Sequence, residues 1–105
     1  MSSLSVAEFR DYCQQNMLNN YIVDSSMQKN LRFNLMRVRL EFNKVIVIPQ
    51  RGMIAFVNNN SCYEIHCVSD VIIREKIDNI ITIFDIVCDS DVNDIHTVLA
   101  GRKEK

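Results

Sequence analysis

A chain of 105 residues is long enough for one core and too short for two, which predicts a single domain over residues 1–105. Its 12 Lys and Arg are balanced by 13 Asp and Glu, so the basic excess that usually drives nucleic-acid binding is missing. With only Gly52 and Gly101, far apart, no glycine-rich phosphate loop can form, which excludes nucleotide hydrolysis and dinucleotide chemistry of the standard kinds.

The apolar fraction is 48%, and Ile and Val supply 24 residues, an excess that favours sheet over helix. No apolar run approaches the ~20 residues of a membrane helix. The first eight residues lack the basic segment and apolar core of a signal peptide. These features predict a cytoplasmic protein with reduced thiols and no membrane partner.

The first element expected is a helix. Ser5-Val-Ala-Glu8 has the spacing of a capping box, and Val6, Phe9, Cys13 and Met17 form one stripe. Asn19-Asn20 is the expected stop, because Asn tolerates the left-handed cap conformation. Tyr21-Ile22-Val23 reads as a short strand. Asp24-Ser25-Ser26 reads as a turn, or as the cap of a helical turn through Met27 and Lys29. From Leu31 to Phe42 polar and apolar residues alternate, with a change of phase at Asn34-Leu35 that implies a bulge or a bend. Arg37, Arg39 and Glu41 then form an outward, wet face.

The strongest signal lies at 44–58. Two β-branched arms flank Pro49-Gln50-Arg51-Gly52, the composition of a hairpin. Both arms are apolar at nearly every position, which predicts a central place in a sheet, covered on both sides. Asn58-Asn59-Asn60 is a turn. Residues 61–68 read as one strand, with Cys62, Glu64, His66 and Val68 on one face and Tyr63, Ile65 and Cys67 on the other.

The stretch 70–88 supports two readings. Ile73, Ile77, Ile80, Ile81 and Phe84 would stripe a helix. Alternatively 71–75 and 80–88 form a hairpin around Lys76-Ile77-Asp78-Asn79, and the density of β-branched residues favours this. A polar loop at 89–94 leads to a last strand, Ile95 to Ala100, ended by Gly101, and a solvated tail from Arg102. The predicted fold class is α+β: an N-terminal helix on a largely antiparallel sheet of hairpins, with five to seven strands.

Cys62, His66, Cys67, Cys88 and His96 are zinc-ligand types, but no Cys-x₂-Cys pair exists, and Cys67 would point away from Cys62 and His66. Cys13, Cys67 and Cys88 read better as small buried hydrophobes. A cysteine nucleophile lacks a glycine-rich turn or an oxyanion nest. Asp85, Asp89, Asp91 and Asp94 lack the glycine and glutamate of a calcium loop. Arg32, Arg37, Arg39, Lys44 and Arg51, with Phe33, Phe42 and Tyr63, could make a single-strand nucleic-acid platform, but Glu41 interrupts it and both Phe fall on core phases. No catalytic, cofactor or metal residue is therefore assigned.

The expected function is protein binding without turnover, with Arg37, Arg39, Glu41 and Arg51 as partner contacts. An inhibitor or accessory factor of a phage or mobile element, covering a surface of a larger host machine, fits this description. Strands 45–48, 53–57 and 80–88 are apolar on both faces, more than one helix can cover, which predicts a homodimer. The alternative is a small-molecule or nucleotide-binding domain with its pocket in the sheet or at a subunit interface.

Overall fold

A computed structural model describes residues 2–27, 37–88 and 94–102, with side chains placed for 2–24, 40–88 and 96–102. The helix α1 (Val6–Gln15) starts where the sequence places it. Ser5 Oγ accepts the Glu8 amide at 3.1 Å, and the Glu8 carboxylate accepts the Ser5 amide at 2.9 Å. Val6, Phe9 and Cys13 are buried, as the stripe requires. The end of the helix differs from expectation. It stops at Gln15, before Asn19-Asn20, because Met17 takes the left-handed position at φ +50°. Leu18 donates to the Cys13 carbonyl at 3.0 Å and Met17 to that of Gln14 at 3.2 Å, which is a Schellman closure with Met where Gly is usual.

Strand β1 (Ser2–Leu4) precedes the helix, and β2 (Asn20–Met27) follows it. The turn expected at Asp24-Ser25-Ser26 does not form. Those residues continue β2, because it is paired on both sides, with Asp24 opposite Thr97 and Arg39. A ladder on each side outweighs the local turn preference. Strand β3 is Arg37–Phe42; the phase change at Asn34-Leu35 lies outside the described residues.

The hairpin at 44–58 is present, as β4 (Lys44–Ile48) and β5 (Met53–Val57). Pro49–Arg51 form one 3₁₀ turn, closed by Gly52 at φ +57°. Its expected central place is corrected. The hairpin joins β6 (Cys62–Ile65) in a separate three-stranded sheet in the order β4-β5-β6. Only β5 is covered on both faces, with Ile54, Ala55 and Phe56 buried; β4 is an edge, and Ile46 is 40% exposed. Asn58 makes the expected turn, its Oδ1 accepting from the amides of Asn60 (2.8 Å) and Ser61 (2.7 Å).

The single strand expected over 61–68 is broken. Cys67 sits at φ +58°, so the chain leaves the small sheet and starts β7 (Val68–Ile77) in the large one. The stretch 70–88 is the hairpin. β7 pairs with β8 (Ile81–Cys88) around Asp78 and Asn79, both left-handed at φ +51° and +57°. Left-handed central residues match the twist of paired strands. With β9 (Asp94–Gly101) the large sheet runs β1-β7-β8-β9-β2-β3, and its pairs are antiparallel. The α+β class is therefore as expected, with the strands divided between two sheets.

Helix and small sheet lie on the same face of the large sheet. Phe84 meets Phe9 edge-on at 5.0 Å, and Tyr21 meets Phe56 at 5.4 Å. The tail expected to fray begins with a fixed residue: Arg102 Nε donates to the Asn16 carbonyl at 2.7 Å, at the negative end of the helix. Residues 103–105 lie outside the described set.

Two outcomes follow. A Cβ on Gly52 would lie 3.3 Å from the Val68 carbonyl in a left-handed backbone, so Gly52→Ala should lower stability by about 1–2 kcal/mol, read from the urea midpoint at unchanged slope. Hydrogen bonds from the Ser5 backbone and then its hydroxyl hold the Glu8 carboxyl below its ordinary 4.5. A lowered folded-state pKa stabilises above the unfolded value and is lost as pH falls, so Glu8→Gln should make melting less pH-sensitive below 4.5.

Candidate functional site

Cross-strand partners share a face, so the register allows the uncovered face of the large sheet to be read row by row. β8 sets the parity: Thr82, Phe84, Ile86 and Cys88 are buried, and Ile81, Ile83, Asp85 and Val87 are only partly covered. One open row runs Ile72, Asp85, Thr97, Asp24. The neighbouring row runs Glu75, Ile83, Leu99, Ile22, Glu41. Val87, opposite Asp70, and Ile81 extend the apolar area at its two ends.

Two polar residues of the first row are bonded to each other. Asp85 Oδ1 accepts the Thr97 hydroxyl at 3.0 Å and has Arg74 Nη1 at 3.7 Å. A carboxylate already bonded in this way loses less when water is excluded than a bare one. The result is an aliphatic face with one paired polar spine and a charged rim of Asp70, Glu75, Arg74 and Glu41.

The expected partner contacts are only partly brought together. Glu41 is exposed and pairs with Ile22. Arg37 and Arg39 occupy the same edge strand, opposite Ser26 and Asp24. Arg51 does not join them; it lies exposed in the 3₁₀ turn of the small sheet. Lys44 and Arg51 stand at opposite ends of β4 and its turn, so the basic residues form no single patch. Phe42 is buried and Tyr63 half-buried, in core positions rather than on a stacking platform. Arg32 and Phe33 lie outside the described residues.

The cysteines divide in two pairs. Cys13 and Cys88 are buried, while Cys62 and Cys67 are exposed, which corrects the expected burial of Cys67. It sits in the left-handed turn between the two sheets, at φ +58°. Among the described residues no group of three His, Cys, Asp or Glu could hold a metal ion. His66 Nε2 is 3.0 Å from Glu64 Oε1, and His96 Nδ1 is 3.2 Å from the Tyr63 hydroxyl. Asp89 and Asp91 lie outside the described residues.

A cleft of about 230 Å³ lies between the C-terminal half of α1 and β4. Its floor includes Cys13, Leu18, Val45 and Val47, and Arg10 and Lys44 stand among its walls. Burial pushes the Cys13 thiol up to about 12, against a smaller pull from the Tyr21 hydroxyl, which disfavours the thiolate. The Tyr21 hydroxyl donates to the Leu18 carbonyl at 2.8 Å.

Comparison with known proteins finds no matching family model, no matching curated protein and no matching solved structure. No helix among the described residues is long and apolar enough to cross a membrane.

Thiol chemistry checks the placement of the cysteines. In the native protein iodoacetamide should label Cys62 and Cys67 and spare Cys13 and Cys88, as read by mass spectrometry of the peptides; rapid labelling of Cys13 would contradict its burial.

Proposed function

We propose that the protein is a non-enzymatic protein-binding module that pairs with a second copy of itself through the open face of its six-stranded sheet. The observation that carries this reading is the row Ile83, Leu99, Ile22, with Ile72, Ile81 and Val87 beside it, on a face that neither the helix nor the small sheet covers. Contiguous apolar area with a charged rim is the usual mark of a contact surface.

Two-fold pairing is the commonest closed way for a chain to cover such a face, so a second copy is the occupant proposed. A two-fold axis parallel to the strands would lay the row Ile83, Leu99, Ile22 over its own copy, with β7 above the partner's β3. The pairing would leave the outer face of the small sheet free on both subunits. There Ile46 is exposed, an apolar surface on which a larger protein could dock. An accessory or inhibitory subunit is the role that suits such a design. Exposed free thiols at Cys62 and Cys67 fit a reducing, cytoplasmic setting.

Sedimentation velocity across a range of concentrations tests the reading. The wild type should run as a dimer. Leu99→Lys or Ile83→Lys, each placing a charge on the open face, should give a folded monomer with unchanged far-ultraviolet circular dichroism. A wild type that stays monomeric at every concentration would overturn the self-pairing and the use of this face.

A further inference from the structure

The helix ends in a way that its composition does not require. Asn16, Asn19 and Asn20 are all at hand for the left-handed position, yet Met17 occupies it at φ +50° with its side chain 64% exposed. A left-handed Met costs on the order of 1 kcal/mol relative to Gly. The strain places a flexible thioether at the lip of the cleft between α1 and β4, whose lining includes Met17. Backbone strain of this kind recurs at ligand clamps.

The cleft has the shape and charge of a small binding site. Its volume of about 230 Å³ exceeds the ~150 Å³ that accepts benzene in an apolar cavity. Leu18, Val45 and Val47 supply an aliphatic wall, and Gln14 and Asn43 supply amide donors. The two charged side chains lining it, Arg10 and Lys44, are both cationic. Arg10 is shared with Asp11 at 3.5 Å, and Lys44 makes no ion pair among the described residues. The helix C-terminus would ordinarily repel an anion. Here its carbonyls are already engaged: Tyr12 by the Asn16 amide, Cys13 by Leu18, Gln14 by Met17, and Asn16 by the Arg102 guanidinium. Asp11 offsets part of the Arg10 charge, which leaves Lys44 as the cation at the mouth that no described carboxylate pairs.

We propose that this cleft binds a small organic anion, a short aliphatic body with a carboxylate head, the chain lying against Val45 and Val47 under Met17 and the head held by Lys44 and Arg10. The site lies on the side of the molecule opposite the open sheet face, so it stands or falls independently of self-pairing.

Amide chemical shifts of the ¹⁵N-labelled protein, titrated separately with octanoate, octanol and octylamine, test it. Octanoate should saturate near about 1 mM, the affinity typical of so small a ligand, with shifts confined to α1 and β4. Octanol should bind more weakly and octylamine should not bind. Lys44→Glu, on an exposed side chain, should weaken octanoate about five- to tenfold. Met17→Gly should also weaken it while leaving melting unchanged or raising it, since Gly relieves the strain. Equal or tighter binding of octylamine or octanol, shifts on the open sheet face instead, or no saturation by about 10 mM would each overturn the proposal.

Discussion

Phe84 is fully buried, edge-on to Phe9 at 5.0 Å and to Tyr12 at 5.6 Å, and this three-ring contact seats the helix on the sheet. Because strand side chains alternate, an inward Phe84 sends Thr82, Ile86 and Cys88 inward and Ile81, Ile83, Asp85 and Val87 outward. The register carries that parity to β7 on one side and β9 on the other. The composition of the open face is thus a consequence of which residues the core consumes. Thr82, the one buried polar residue among the described residues, is provided for: its hydroxyl and that of Tyr12 are 3.2 Å apart.

The small sheet completes the cover where the helix ends. Phe56 packs on Tyr21 and Phe42, and Ile54 and Ile65 lie beneath it, so β2 and β3 acquire a roof that ten helical residues could not reach. Both covering units sit on one side. This asymmetry is why neither the helix nor the small sheet covers the aliphatic residues of β8 and β9 that face the other way.

The elements legible in the sequence were those fixed by local chemistry. The capping box at Ser5 and Glu8, the Pro49–Gly52 reversal and the Asn58 turn each depend on residues within three or four positions. The hairpin at 70–88 was legible from its β-branched content but not from its rhythm, since Ile stands on both faces. What could not be read depended on distant partners. Asp24-Ser25-Ser26 became strand because β3 and β9 flank it, and the chain leaves the main sheet at the Asn43 bend and returns to it only at Cys67. Met17 carried no signal as a cap. For the site, the alternation of Arg37, Arg39 and Glu41 could be read, but Arg74, Asp85 and Thr97 come from three strands and meet only in the fold.

The seam between β2 and β9 joins opposite ends of the chain, with Tyr21 opposite Ala100 and Asn20 opposite Gly101. The hairpins β4-β5 and β7-β8 close short loops, but this seam must wait for almost the whole chain, and closure over such a separation is slow. Until β2 arrives, β9 is an unpaired edge carrying Val98 and Leu99. The last step of assembly therefore runs against time: an edge that its own chain fills late is one that a neighbouring chain can fill first.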